Sequence, residues 1–301
     1  MEGESYYRPR EIAVNLGRWK RVKNSLLTIS SALVLAGVTA CFFVPQSRVS
    51  SLRVTARLFG MSGGHGDGLV ITKERIIRAM GLKSNDLNMF ASVQKAESGL
   101  ASAWFVSHAY PVEVALTPFS CQVTFHDLFP LSKGMDGAIY LSDGTSYAAA
   151  SPEVKAAYPE AALDWLVTIP AGQVGENDYG TEIGDLSIEL ADLDPSLLAG
   201  GFLLGATVDP EQEGGIYLYL NLPGVDQRVR MGIESAYLSS FRADTMIAEL
   251  TQAVISASQA GDLSPVTASW DSWLGEGATL YHLWFRRDDN GRFGIYTSAG
   301  R

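Results

Sequence analysis

Gly60-Met61-Ser62-Gly63-Gly64 places a serine in the G-x-S-x-G spacing of serine hydrolases, with His65 and Asp67 close behind. In a nucleophile elbow a strand turns sharply into a helix, which lifts the hydroxyl beside an oxyanion site. Here Gly66 and Gly68 follow, and no helix signal appears before Thr72. Triad partners are assembled by the fold and not by sequence proximity, so the nearness of His65 adds little. The stretch reads as a glycine-rich loop, with an exported hydrolase acting through Ser62 as an alternative.

The other reactive residues are dispersed. The histidines are His65, His108, His126 and His282, and no two share the i, i+4 spacing that puts ligands on one helix face. Cys41 lies in an apolar stretch and Cys121 stands alone, so an intramolecular disulfide framework is not expected. His126-Asp127 reads as a surface polar pair. Asp288-Asp289-Asn290-Gly291 reads as a turn, without the spaced oxygen ligands and terminal glutamate of a calcium loop. There is no P-loop and no dinucleotide fingerprint. No catalytic residue, metal or cofactor is assigned, and the chain is expected to be non-enzymatic.

The element that positions everything else is Leu26–Val44, nineteen residues without a charge. At about 1.5 Å per residue such a helix just crosses a hydrocarbon core of roughly 30 Å. Before it, Met1–Asn24 holds six basic residues against three acidic. Basic flanks stay on the cytoplasmic side, so the N-terminus is expected inside and the rest outside. Three readings of the stretch compete. It is a retained single-pass anchor, a secretory signal with a small-residue site at Val38-Thr39-Ala40, or a lipoprotein signal, since Val38–Cys41 resembles a lipobox. The anchor is favoured because the apolar run continues through Phe42, Phe43 and Val44 before Pro45 and Gln46 end it. The whole chain carries a net charge of −10 with 47% hydrophobic residues, which predicts a packed, acidic outer module and argues against nucleic-acid binding.

Residues 49–119 predict a strand, two helices and two more extended segments. Ser50–Leu58 alternates with Leu52, Val54, Ala56 and Leu58 on one face. Thr72 is a natural N-cap for a helix over Lys73–Met80, with Gly81 as its stop. A second helix is expected over Asn88–Ala101, then extended segments at Trp104–Tyr110 and Val112–Leu116. This order resembles the POTRA domain of the bacterial division proteins of the FtsQ/DivIB family. Gly81, Leu82, Asn85, Leu87 and Phe90 fall on the family's helix-end and "G-x-N-L-F" positions. Val106 and Pro111 keep its five-residue separation. The chain departs from the pattern at His108, at Pro118–Val123 and in the inserted loop Gly60–Gly68.

Residues 120–285 predict a β-rich domain with flanking helices. Asp143-Gly144 signals a hairpin within Ala138–Tyr147. Strands are expected at Leu166–Pro170, Gly201–Val208, Gly215–Leu222, Arg228–Ile233, Val266–Trp270 and Thr279–Phe285, and helices over Glu182–Asp194 and Phe241–Ala260. Residues 286–301 are expected to be a loose tail. The expected fold class is therefore α+β: a transmembrane helix, a β-α-α-β-β unit and a mixed-sheet domain. The resemblance implies a cell-division scaffold at the septum of the inner membrane. Its partners would be FtsB/FtsL-like coiled-coil proteins and the septal peptidoglycan synthase complex. It further implies partner docking on the C-terminal strand, through Leu280, Tyr281, Leu283, Trp284 and Phe285. An exported lipoprotein or secreted binding protein cleaved near Cys41 is the alternative.

Overall fold

The computed structural model describes residues 9–54, 59, 71–170, 179–208, 214–263, 265–267, 272–274 and 278–297. Ser62, His65, Asp67 and the rest of the inserted loop lie outside them, as do residues 55–58 of the first expected strand. The chain is α+β, with one apolar N-terminal helix, a small sheet and a large mixed sheet.

Helix α1 (Pro9–Phe43) spans 35 residues and starts well inside the basic segment that was expected to be a tail. At 1.5 Å per residue it is about 50 Å long, more than a hydrocarbon core requires. Its window Trp19–Thr39 is long and apolar enough to cross a membrane, and none of that window is covered by the rest of the chain. Leu26 is 63% exposed and Leu35 69%, so α1 offers its apolar surface to the surroundings rather than to a core.

Two successive 3-10 turns, Pro45–Ser47 and Val49–Ser51, lead from α1 into the first sheet. Strand β1 (Arg53–Val54) follows, then α2 (Lys73–Ala79) and α3 (Val93–Ala101). The Thr72 hydroxyl accepts from Arg75 N, and Gly81 ends α2 at φ 69°, as the sequence predicts. Helix α3 starts later than expected because Ser92 is its N-cap and residues 88–90 form a 3-10 turn. Strands β2 (Glu113–Thr117) and β3 (Ser120–Thr124) complete the unit in the order β1-β3-β2, with β1 parallel and β2 antiparallel to β3. Trp104–Tyr110 is not a strand. It makes one bridge, Val106 to Asp127, and turns around it. The third strand is instead Ser120–Thr124, which lies across the expected boundary at residue 119. Pro118-Phe119 make the two-residue turn between the paired Thr117 and Ser120. Ile76, Ile77, Met80, Leu100, Val114, Val123 and Phe125 fill the core of this unit.

The chain passes to the second sheet through Phe125, buried in the first core, and Phe129, buried in the second. Strands β4 (Pro130–Gly134) and β5 (Ile139–Leu141) pair antiparallel, and β6 (Val167–Ile169) lies parallel on β4. The Asp143-Gly144 turn follows β5, with Gly144 at φ 79° and the Asp143 carboxylate accepting from Thr145 N. Helix α4 (Pro152–Ala157) precedes β6; α5 (Tyr179–Leu190) and α6 (Pro195–Ala199) follow it. Strands β7 (Leu203–Val208), β8 (Gly215–Leu220) and β9 (Arg228–Glu234) form an antiparallel meander. Helix α7 (Ala243–Ala260), ended by Gly261 at φ 80°, carries the chain over to β10 (Val266–Thr267) and β11 (Thr279–Arg287). Strand β12 (Phe293–Tyr296) returns along β11. The sheet has nine strands in the order β10-β11-β9-β8-β7-β6-β4-β5, with β12 on β11.

One face of this sheet carries the main core. Ile183, Leu186 and Leu190 of α5 and Ile247, Leu250 and Val254 of α7 close over Leu218, Met231, Leu283 and Phe285. These are the helical stripes that the 3.6-residue spacing marks in the sequence. Ser132 on β4 and Ser187 on α5 are both fully buried and bond at 2.5 Å. Since Ser187 donates to Ile183 O, Ser132 is the donor to Ser187.

Candidate functional site at the C-terminal sheet edge

Parallel pairing with β9 holds β11 on one side over Leu280–Phe285. On the other side β10 pairs with Thr279 and Leu280, and β12 pairs with Trp284 to Arg287. The C-terminal strand on which docking is expected is thereby paired on both sides at Leu280, Trp284 and Phe285. Beyond β10 and β12 there is no further strand among the described residues, so these two short strands share the edge at this end, and β12 is its longer part. Strand β12 lies within the segment expected to be loose.

The five candidate residues divide between the two faces, because side chains alternate along a strand. Leu283 and Phe285 are buried in the main core at 1% exposure each, and Phe285 meets Phe241 edge-on at 5.4 Å. Half-buried Tyr281 joins them, its hydroxyl 2.9 Å from Ser258 Oγ on α7. Leu280 and Trp284 lie on the opposite face. Leu280 is fully buried with Tyr217 and Tyr219 of β8, and Trp284 is half-buried. Three of the five are thus core residues, and they can act on a partner only through the fold.

That opposite face holds a group the spacing did not reveal. Register sets Tyr219, Arg230 and His282 in one row and Tyr217, Gly232 and Trp284 in the next. Arg230 is only 5% exposed, its guanidinium 4.9 Å above the Tyr217 ring and its Nη2 2.9 Å from His282 Nδ1. Arginine only donates, so His282 accepts through Nδ1 and carries its proton on Nε2. Trp284 lies over Gly232, where an added Cβ would come within 2.5 Å of the indole. Trp273 lies over Gly205 in the same way and meets Tyr219 edge-on at 5.0 Å. The sequence does carry a signal here: an arginine in mid-strand between Val229 and Met231 needs a partner when the strand is internal.

The edge is built on the β11–β12 hairpin. Gly291, at φ 80°, closes its turn, and its N–H donates to Asp288 O. The Asp288 carboxylate accepts from Arg292 N at 2.7 Å. Phe293 stacks on Phe285 at 5.3 Å and meets Tyr237 edge-on at 5.2 Å, yet stays 39% exposed. Arg286 lies 4.6 Å over the Tyr296 ring. The hairpin therefore offers free backbone positions, one exposed apolar ring and the arginines Arg286, Arg287 and Arg292 within an otherwise acidic domain.

The remaining histidines are not brought together. His108 is exposed, while His126 stacks on Tyr110 and faces Asp192. Cys121 is fully buried, and burial pushes its thiol up to about 11. Among the described residues no three His, Cys, Asp or Glu side chains are grouped to hold a metal ion. No protein-family model matches the chain, and no curated protein matches it.

Proposed function

We propose that this chain is a single-pass membrane protein of the FtsQ/DivIB type, with its N-terminus cytoplasmic and its two sheets outside the membrane. On this reading it is a non-enzymatic division scaffold at the septum that holds other membrane proteins of the peptidoglycan-synthesising machinery together. The observation that carries the reading is the first unit. It has the strand–helix–helix–strand–strand order that the resemblance implies for POTRA, and it follows directly on the apolar helix α1. Retention of the helix is supported by the apolar run that continues past Cys41 through Phe42, Phe43 and Val44 before Pro45.

Docking would use the β12 edge. A partner segment adding a strand to Phe293–Tyr296 would gain backbone hydrogen bonds and cover Phe293. The three arginines of the hairpin favour an acidic partner segment. Of the expected docking residues, Trp284 and Tyr281 would support this surface from beneath, and Leu280, Leu283 and Phe285 would hold its shape. Anchoring in the same bilayer raises the effective concentration of membrane-bound partners, so a four-residue edge suffices for a modest contact.

A fluorescent fusion on the cytoplasmic segment tests the reading. Recruitment to midcell during division is the expected result, and an even envelope signal would overturn it. Mass spectrometry of the native protein separates the alternative, since an acylated N-terminus at Cys41 would identify a processed lipoprotein instead.

A further inference from the structure

Three large apolar side chains outside the lipid-length window of α1 are exposed close to its C-terminal end: Phe43 at 81%, Phe90 at 69% and Phe119 at 51%. They come from separate parts of the chain, and the backbone gathers them. Asn88, 2% exposed, donates from Nδ2 to Gln46 O at 3.1 Å. Val49 N and Ser50 N donate to Asp86 O and Ser84 O, and Arg48 pairs with Leu87. The turn bearing Phe90 is therefore pinned to the segment that leaves α1. Phe119 reaches the same end by another route. Strands β1 and β3 are parallel, with Arg53 opposite Gln122, so the turn before β3 lies level with the start of β1. Pro45–Ser47 packs against β3, and residues 88–90 pack against β2.

Distances along the chain are short. Gln46 is two residues beyond Val44, at most about 7 Å of chain. Ser47 is already 1% exposed and Val49 fully buried, so no free linker separates helix from sheet. The headgroup layer on each side of a bilayer is about 5–8 Å thick. With the apolar run Leu26–Val44 taken as the span, the chain leaving α1 reaches the turns that bear Phe90 and Phe119 within about the depth of that layer.

Charge points the same way. Residues 45–125 carry eight basic residues against five acidic, whereas residues 126–301 carry nine against 25. The turn just before the one that holds Phe90 adds Lys83, and Arg48 donates to Asn85 O in it. An anionic leaflet attracts the first unit and repels the second.

We propose that Phe90 and Phe119, with Lys83 and Arg48 beside them, form a bilayer-contact surface that seats the first unit on an anionic leaflet around the exit of α1. The proposal rests on α1 being a retained span. Apolar rings in the interface and basic groups against lipid phosphates would then fix the tilt of the unit, as interfacial anchors do. The acidic second sheet would stand away from the membrane, leaving the β12 edge open to partners.

The test uses the full chain with Cys41→Ala, reconstituted in equimolar phosphatidylcholine–phosphatidylglycerol vesicles. Single cysteines at Leu35, Phe90, Phe119 or Glu153 carry an environment-sensitive fluorophore, and Cys121 stays unlabelled because it is buried. Nitroxide-bearing lipids then quench whatever lies in the bilayer. Quenching at positions 90 and 119 should exceed that at Glu153 several-fold and should fall in pure phosphatidylcholine. Quenching at Leu35 with positions 90 and 119 as aqueous as Glu153 would overturn the proposal and leave the anchor standing. No quenching at Leu35 would overturn both. Hydrogen exchange on the unlabelled chain gives a label-free check. Vesicles should slow exchange over residues 83–90, and Phe90→Ser with Phe119→Ser should abolish that slowing. Slowing that survives both substitutions would overturn the proposal.

Discussion

Tyr110 lies flat on the imidazole of His126, with ring centroids 3.8 Å apart and planes within 11°. This stack belongs to the first unit and its exit, but both residues reach to the second. The Tyr110 hydroxyl donates to Ile188 O on α5 at 2.8 Å, and His126 Nδ1 stands 3.9 Å from Asp192 Oδ1 just beyond α5. Burial holds His126 below its usual 6.5, with Asp192 pulling the other way. Burial, then the Asp192 charge, pushes Tyr110 up to about 12. Asp192 and Glu189 are both raised, chiefly by burial. Two sheets are thus joined by a small group of titrating side chains that prefer to be uncharged.

The sign of the pH response follows. A histidine whose folded value is lowered contributes stability above 6.5 and loses it as pH falls towards the folded value. The raised carboxylates act oppositely: their contribution is present at acid pH and is lost as pH rises through their folded values. As pH falls below 6.5 the histidine therefore lowers the unfolding midpoint while the two carboxylates raise it, so His126→Phe should tilt the pH slope towards greater acid stability while keeping the stack. Thermal unfolding in detergent at a series of pH values measures it. An unchanged slope in the variant would show that His126 does not couple the two sheets.

Gly232 is required by Trp284. A Cβ at residue 232 would sit 2.5 Å from the indole carbons, and the ring has Tyr217 and His282 beside it. Gly232→Ala should cost about 1–3 kcal/mol, the usual range for overpacking. Trp284→Ala removes the obstacle, so the double variant should cost less than the sum of the single changes. Urea unfolding of the four proteins supplies the cycle, and strict additivity would mean that the ring moves aside freely.

The Ser132–Ser187 bond ties α5 to the sheet between two fully buried side chains. Ser187→Ala leaves the Ser132 hydroxyl buried without its acceptor, which should cost about 1–3 kcal/mol. Replacing both serines with alanine should be less costly than the single change plus its mirror. If either single variant is as stable as the parent, the bond contributes nothing net.

The proposed docking at β12 separates two phenylalanines that touch. Phe285→Ala empties a core position and should cost about 3–5 kcal/mol, so partner recovery falls together with the fold. Phe293→Asp, on the exposed side of the same stack, should cost on the order of 1 kcal/mol and abolish partner recovery with the fold intact. Co-isolation of membrane partners with each full-length variant, beside its unfolding curve, distinguishes them. Full recovery by Phe293→Asp would remove β12 from consideration.

What could be read from the sequence was local. Thr72 before an apolar stripe, Gly261 after one, Asp143-Gly144 in a tight turn and the charge-free Leu26–Val44 each state a physical requirement within a few residues. What could not be read was non-local. Pro130–Gly134 has no alternation to mark it as a strand, yet β4 is fixed between β5 and β6 by pairing alone. Pro118–Val123 reads as a break in the family pattern, yet most of it belongs to Ser120–Thr124, the central strand of the first sheet. Thr279–Phe285 reads as a strand, but nothing in its residues says that it runs on to Arg287 or that Phe293–Tyr296 returns to cover it. The Arg230–His282 contact joins residues 52 apart, and only the parallel register of β9 and β11 brings them level.

That parallel register has a consequence for the order in which the chain is made. Strand β9 ends at Glu234, and its neighbour β11 begins at Thr279, with α7 between them. While the protein is being synthesised, β9 leaves the ribosome with one side unpaired and waits for a strand that emerges some seconds later, at roughly 5–20 residues per second. During that interval the nascent sheet presents an internal edge with apolar Val229, Met231 and Ile233 behind it. Strand β12 cannot exist until β11 has filled that gap, so an unfinished chain carries a sticky edge of the wrong kind and none of the finished one.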